Sequence, residues 1–154
     1  MSANPIVPYE IAETIRRKKA KYCRYADTNQ WHLFDQIALP DATFKFVDKK
    51  NEVVRQNGAA HEWGSLAEFQ EHFTKTNAHI DAIHMVNAGE LEMVADDEVK
   101  AIFGVLFHAG ALDSEAGLHS TGAGHYHEVW KKVGDDWFLK SLWMQLIYWK
   151  VQVI

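Results

Sequence analysis

Two histidines in the C-terminal half of the chain could form an acid–base pair. His84 and His108 lie on either side of an Asp96-Asp97 turn, in segments with the alternation of a long β-hairpin. Counting outward from the turn predicts that they are near cross-strand neighbours, although a bulge at Gly89 would shift the register by one residue. Two imidazoles on one sheet face can act as general acid and general base. The alternative is that each histidine satisfies a local hydrogen bond.

An aspartate and a tyrosine near the N-terminus could serve the same chemistry. Asp27 lies at the junction of two predicted helices, where its carboxylate could orient an imidazole or accept a proton. The alternative is that it is the N-cap of the second helix. Tyr22 lies on the apolar stripe of the first helix, and a buried phenol usually finds a hydrogen-bond partner. Plain core packing is the alternative for Tyr22.

The sequence offers little support for a metal or a cofactor. His125 and His127 have a His-x-His spacing that can bind metals, but no third ligand can be assigned, so no metal site is predicted. No glycine-rich phosphate loop follows a predicted strand, and there is no Gly-x-Ser-x-Gly motif. We therefore expect no cofactor.

The elements that would position these residues are three helices followed by strands. Apolar spacing predicts a first helix over about 8–26 and a second over about 28–37, and Ser65 with Glu68 forms a capping box that opens a third. A basic run at 16–21 lies in the first helix and is expected to be a solvated face, with Lys18 or Lys19 laying its aliphatic stem across the apolar stripe. The predicted strands are Thr43–Val47, Ile83–Val94, Val99–Ala109, His125–Val133 and Trp137–Val153.

This order of elements favours an α+β fold in which a curved antiparallel sheet wraps around three N-terminal helices, as a single domain over residues 1–154. Six further residues are candidates for the walls of an apolar substrate pocket, with the aromatic last strand suited to a ring-shaped ligand or to a subunit interface. These candidates are Phe69, Leu106, Tyr126, Leu142, Trp143 and Met144.

Composition narrows the class of protein. The chain has 154 residues, of which 47% are hydrophobic, so it can bury a sizeable core. A formal net charge of −5 argues against nucleic-acid binding, which needs a basic surface. The lone Cys23 excludes a disulfide framework. Neither a signal-peptide pattern nor a membrane-length apolar run is present, so a cytoplasmic protein without a membrane partner is expected.

Several segments together resemble a known family. They are Tyr22-Cys23-Arg24-Tyr25-Ala26-Asp27-Thr28-Asn29-Gln30-Trp31, His84 in a long strand, Gly124-His125-Tyr126-His127-Glu128 and Asp136-Trp137. Across nearly the whole chain, this pattern resembles the SnoaL-like polyketide-cyclase and scytalone-dehydratase-like branch of the nuclear-transport-factor-2-like superfamily. The resemblance implies a cone-shaped fold and assigns Asp27, His84 and His108 to the family's aspartate and histidine positions.

The tyrosines of scytalone dehydratase do not carry over, because Ala26 precedes the aspartate and Val47 or a neighbour occupies the other position. Bile-acid dehydratases of the superfamily instead resemble this chain in a tyrosine five residues before the aspartate, here Tyr22. The resemblance therefore implies dehydratase-like base machinery with different groups that polarise the substrate oxygen.

The function expected is that of a cofactor-independent lyase or isomerase acting on a small oxygenated apolar natural product, such as a polyketide or terpenoid. His84 or His108 would remove a proton next to a carbonyl, Asp27 would orient the imidazole, and Tyr22 or Tyr126 would donate a hydrogen bond to the enolate oxygen. The alternative is a non-catalytic ligand-binding or dimerisation module of the same fold. A homodimer or homotrimer is expected, since the superfamily uses both.

Overall fold

The computed structural model describes residues 6–154. Its helices are α1 (Tyr9–Asp27), a short 3-10 helix (Trp31–Gln36) and α2 (Leu66–Thr76). Its strands are β1 (Ala38–Val47), β2 (Arg55–Gln56), β3 (Ala59–Ala60), β4 (Glu62–Trp63), β5 (Ile80–Val86), β6 (Glu90–Ala95), β7 (Glu98–Ala111), β8 (Leu118–Val133) and β9 (Asp136–Val153). None of the helices within these residues is long and apolar enough to cross a membrane.

The helix boundaries follow local signals, with one correction. The capping box of α2 is confirmed, because the Glu68 amide donates to Ser65 Oγ at 3.2 Å and the Glu68 carboxylate accepts from the Gly64 amide at 2.8 Å. The predicted second helix is instead a six-residue 3-10 helix without a side-chain cap. Asp27 is the last residue of α1 rather than an N-cap, which leaves its carboxylate free for another partner.

Seven of the strands form one large open sheet in the order β4-β1-β9-β8-β7-β5, with β6 also paired to β7, and β2 and β3 form a separate two-stranded sheet. The prediction of an α+β fold with a curved sheet around helices is confirmed. The sheet is mixed rather than purely antiparallel, because β1 and β9 run parallel. The chain leaves the 3-10 helix beside the start of β9, where the Leu139 amide donates a hydrogen bond to the Ile37 carbonyl. As a result β1 and β9 begin at the same end of the sheet and run parallel.

The core lies between the helices and the sheet. The apolar stripe predicted for α1 is buried at Ile15, Tyr22 and Ala26. The alternating inward side chains of the long strands meet this stripe, and their removal from water supplies the main stabilising term of the fold. The largest fully buried apolar side chains are Trp130, Phe34, Phe44, Phe69, Phe103, Ile15, Ile37, Leu139 and Leu142.

A β-bulge between β5 and β6 sets the register of the sheet edge. The side-chain oxygen of Asn87 accepts hydrogen bonds from the amides of Gly89 at 3.1 Å and Gly104 at 2.9 Å. The predicted bulge at Gly89 is thus confirmed, and a further register shift lies nearer the turn, between Met93 and Ala95. As a result His84 pairs with Phe107, and His108 pairs with Ile83.

This register corrects the predicted histidine pair. Successive side chains of a strand point to opposite faces, so a one-residue shift changes the face of every side chain relative to its partner strand. His84 and His108 therefore lie on opposite faces of the sheet rather than side by side.

Gly89 should be sensitive to substitution by alanine. Its φ is +76°, and an added Cβ would lie 2.6 Å from the ring of Phe103. We expect Gly89→Ala to lower the free energy of unfolding by about 2–4 kcal/mol, from left-handed strain and overpacking. Gly134→Ala is the matched control, because Gly134 also has a positive φ, +62°, but an added Cβ would contact nothing within 4 Å. Urea unfolding of both variants checks this, and equal losses would contradict the role given to Phe103.

Candidate active site

A cavity of about 190 Å³ lies between the helices and the concave face of the sheet. Its walls are largely aromatic and aliphatic, and its polar groups are few. The apolar lining comes from Ala26, Trp31, Phe46, Val54, Phe69, Phe73, Ile80, Ala82, Phe107, Ala109, Met144, Leu146 and Trp149. The polar lining comes from Tyr22, Gln56, His61, Asn77, His84, Ser120 and Tyr126. Such a site suits a small, mainly apolar ligand with a few oxygen atoms.

A carboxylate–imidazole pair lies at the cavity wall. Asp27, at the end of α1, holds Nδ1 of His84 on β5 at 2.6 Å from its Oδ1. Their side chains are only 11% and 19% exposed, so the pair is largely shielded from water. The neutral tautomer that donates its Nδ1 proton to Asp27 carries a lone pair on Nε2. The ring of Phe107 stacks on His84 with centroids 5.8 Å apart and helps to fix its orientation.

Two buried phenols line the same cavity. Tyr22 of α1 meets Tyr126 of β8 edge-on, with ring centroids 5.6 Å apart. Burial raises the pKa of both Tyr22 and Tyr126 well above the ordinary value of a phenol. Both hydroxyls therefore stay protonated at neutral pH. Because the two phenols also interact with each other, one hydroxyl can donate to the other while the remaining proton is available to a ligand oxygen.

A fully buried ion pair supports these phenols. Lys19 Nζ lies 2.5 Å from a carboxylate oxygen of Glu128, and neither side chain is exposed. The ammonium group also lies 3.7 Å from the ring centroid of Tyr22 and 3.4 Å from that of Tyr126. The second carboxylate oxygen accepts a hydrogen bond from Trp130 Nε1 at 3.0 Å. The charges are thus compensated, and the lysine holds both phenol rings in position.

The prediction that the basic run at 16–21 is a solvated face of α1 is wrong for Lys18 and Lys19. Lys19 is completely buried, and Lys18 pairs with Asp136 at 2.9 Å while its ammonium group lies 3.7 Å from the centroid of the Phe138 ring. Arg17 and Lys21 of the same run are exposed, as expected. Lys19 follows the buried Ile15 by four residues, so the helical spacing already indicated a position on the apolar stripe.

The structure brings together some of the residues predicted for the site. Asp27 contacts His84, and Tyr22 lines the cavity with His84, as do the predicted wall residues Phe69, Tyr126 and Met144.

Four predicted residues lie elsewhere. His108 is exposed on the opposite sheet face, where its Nδ1 lies 3.4 Å from Thr121 Oγ1, and Leu106 of the same strand is 59% exposed. Leu142 is buried in the core but does not line the cavity. Trp143 alternates with Leu142 along β9 and packs against His127 in a tilted arrangement, with ring centroids 4.4 Å apart. The register or the strand alternation directs His108, Leu106 and Trp143 away from the cavity. Leu142 shares the inward face of β9 with Met144 but is buried elsewhere in the core.

His125 and His127 do not form part of a metal cluster. His125 is exposed, and His127 packs on an aromatic ring. Across residues 6–154, no group of three or more histidine, cysteine, aspartate or glutamate side chains is arranged to hold a metal ion.

Sequence reasoning missed His61 as a cavity residue. The segment from 48 to 64 is polar, and no helix or strand was predicted in it, yet His61 is only 8% exposed and lines the cavity. A weak signal was present, since His61 and Trp63 alternate with the exposed Glu62 in the manner of a short edge strand.

The fold and the site define a nuclear-transport-factor-2-like cone with a carboxylate–imidazole pair in its cavity. Residues 9–142 match the SnoaL-like domain family, and the chain belongs to that family. It is 46% identical over 142 residues, covering 92% of this chain and 95% of the relative, to "Probable cyclase FGR4" of Gibberella zeae. The family resemblance stated from the sequence is confirmed, and so is the prediction that the chain is an enzyme.

Solved structures share the fold at low sequence identity. A "Putative Scytalone Dehydratase" from Novosphingobium aromaticivorans matches with a TM-score of 0.73 and 12% identity, covering 90% of this chain and 85% of that chain. A hexachlorocyclohexane dehydrochlorinase, LinA-type3, from Novosphingobium barchaimii matches with a TM-score of 0.71 and 16% identity, covering 91% of this chain and 88% of that chain. At these identities the likeness concerns the fold alone.

Removing only one partner of the buried Lys19–Glu128 ion pair should destabilise the fold. We expect Lys19→Met to lower the free energy of unfolding by about 3–5 kcal/mol, because it leaves the Glu128 carboxylate buried without a counter-ion. The double variant Lys19→Met with Glu128→Gln should recover much of this loss, since it removes the orphaned charge and keeps an acceptor for Trp130. Urea unfolding of the single and double variants measures the difference. Equal stability of the two would show that the unpaired charge is not the cause.

Proposed function

We propose that this chain is an acid–base lyase or isomerase that acts on a small, oxygenated, largely apolar natural product such as a polyketide or terpenoid. The hydrogen bond of 2.6 Å between Asp27 and His84, at the wall of an aromatic cavity, is the observation that carries the proposal. A purely binding module has no use for a shielded carboxylate–imidazole pair, whose desolvation is costly. The fungal relative named as a cyclase supports an activity of this kind.

In the proposed reaction, His84 is the general base. Nε2 takes a proton from the carbon next to a substrate carbonyl, and the electron pair of the broken C–H bond moves onto the carbonyl oxygen to form an enolate. The Asp27 carboxylate keeps the imidazole in the required tautomer and stabilises the imidazolium that forms. An imidazole held in this way needs no reorientation when the proton moves.

The phenols of Tyr22 and Tyr126 are the proposed partners of the enolate oxygen. Their raised pKa values keep the hydroxyl groups protonated, so that they can donate hydrogen bonds. A donor already directed at the developing negative charge in an apolar site lowers the barrier to proton abstraction. The proton held by His84 then returns to a different carbon in an isomerisation, or leaves with a hydroxyl group as water in a dehydration. The same first step serves both outcomes.

The composition of the cavity walls supports the proposed substrate class. Apolar side chains surround most of the cavity, and its volume of about 190 Å³ is suited to a compound of one or two rings rather than to a long chain. Its polar lining residues are hydroxyl, amide and imidazole groups, with no arginine or lysine among them. An uncharged oxygenated ring compound fits this lining better than a phosphorylated or carboxylated one.

The proton-abstraction step can be tested without the natural substrate. In D₂O, the protein should accelerate deuterium incorporation at the α-carbon of cyclohexanone. The rate is measured from the loss of the α-proton signal in the NMR spectrum. His84→Gln should slow the catalysed exchange by about 10²–10⁴-fold, because it removes the base. Asp27→Asn should slow it less, since asparagine still accepts the hydrogen bond but carries no charge. Exchange by His84→Gln at the wild-type rate would remove His84 from the mechanism.

His108, which faces away from the cavity, provides the control for the His84→Gln variant. His108→Gln makes the same substitution on the neighbouring strand but on the opposite face, and we expect the exchange rate to stay within about twofold of wild type. Thermal unfolding of both glutamine variants separates loss of catalysis from loss of the fold. A large fall in the His108→Gln rate with an intact fold would mean that this histidine reaches the substrate after all.

A further inference from the structure

His61 is rigidly held at the cavity wall. Its amide donates to the Val54 carbonyl at 2.8 Å, and its carbonyl accepts from the Phe46 amide at 2.9 Å. The imidazole packs among aromatic rings, with centroid distances of 5.7 Å to Phe46, 5.5 Å to Trp63 and 5.4 Å to His72. A side chain packed on so many sides lines the cavity in a defined orientation.

The ring nitrogens of His61 lack a partner in the described part of the protein. The residue is 8% exposed, yet no side-chain hydrogen bond to it occurs among residues 6–154. Burial and the neighbouring His72 lower the pKa of His61, so its imidazole is neutral near pH 7 and offers one donor and one acceptor. Among residues 6–154, the only fully enclosed side-chain nitrogen or oxygen without a hydrogen-bond partner is Trp143 Nε1. The ring nitrogens of His61 are therefore not sealed off, and on the cavity wall they can hydrogen-bond a ligand or water.

His61 and His84 belong to opposite edges of the sheet. His61 directly precedes β4 at one edge, whereas His84 lies on β5 at the other. Curvature of the sheet nevertheless brings both side chains to the lining of one cavity of about 190 Å³. The cavity is small. A ligand that places a carbon beside His84 therefore also comes within reach of the wall that contains His61.

We propose that His61 determines substrate specificity by hydrogen-bonding a second oxygen of the substrate, remote from the carbon that loses its proton to His84. The inference rests on the proposed function of His84, and it narrows the substrates to ring compounds that carry two oxygen functions. A ligand without the second oxygen would cover His61 and leave its polar atoms unpaired, which a site of this kind disfavours.

Two ketones that differ by one hydroxyl test this directly. The kcat/KM for α-carbon deuterium exchange is measured for 4-hydroxycyclohexanone and for cyclohexanone, each normalised to its uncatalysed rate. We expect wild-type protein to favour the hydroxylated ketone by about 5–10-fold, the size of one hydrogen bond. In His61→Phe, which keeps the aromatic packing, this ratio should fall to about one. His61→Gln should restore part of the preference, since its amide can still hydrogen-bond.

His72→Phe is the matched control, because His72 packs against His61 but does not line the cavity. It should leave the ratio unchanged. Absence of a preference in the wild type, or its survival in His61→Phe, would overturn the proposal.

A binding measurement separates this proposal from that for His84. The dissociation constants of the two ketones, measured by ligand-observed NMR titration, report His61 without any proton transfer. If the wild type binds the hydroxylated ketone more tightly but does not accelerate exchange, the proposed function fails while the role of His61 stands. If exchange depends on His84 but neither binding nor exchange distinguishes the ketones, the role of His61 fails alone.

Discussion

The strict alternation of side chains along a β-strand is the constraint on which this site depends. His84 contacts Asp27 because the bulge at Asn87–Gly89 and a second shift nearer the turn set the register of β5 against β7. One residue more or less in that hairpin would exchange the faces that the two strands present to each other. The side-chain oxygen of Asn87 accepts a hydrogen bond from the Gly104 amide and so ties the bulge to β7. This hydrogen bond lies outside the cavity, yet it helps to fix the register that places His84, and not His108, in the cavity.

The electrostatics of the cavity follow from what burial permits. Lys19 and Glu128 are paired at 2.5 Å behind the phenols, and Asp27 is paired with His84, so the charged groups nearest the cavity have partners. The remaining polar lining, including Tyr22 and Tyr126, is neutral at physiological pH because burial disfavours the phenolate. The proposed proton transfer on an uncharged substrate needs an oriented base and neutral donors, and these electrostatics are compatible with both.

The buried ion pair also links the two layers of the fold. Lys19 comes from α1 and Glu128 from β8, and the ammonium group contacts the faces of two phenol rings from those same elements. Because a single substitution would leave a buried charge unpaired, the pair specifies how the helix sits on the sheet at the level of the cavity. The position of Tyr22 relative to Tyr126, and thus the geometry of the proposed oxygen site, depends on this contact.

The sequence by itself determined the two long helices, the long strands and one pair of site residues, but not the 3-10 helix or the short strands β2 to β4. Helical spacing and the Ser65 capping box predicted α1 and α2, and the family resemblance indicated Asp27 with His84, because such signals lie within short segments. Tertiary structure alone decided that His61, not His108, shares the cavity. Register is the sum of all bulges along a hairpin, and two-residue strands such as β4 are too short to show a period, so no local pattern could report either outcome.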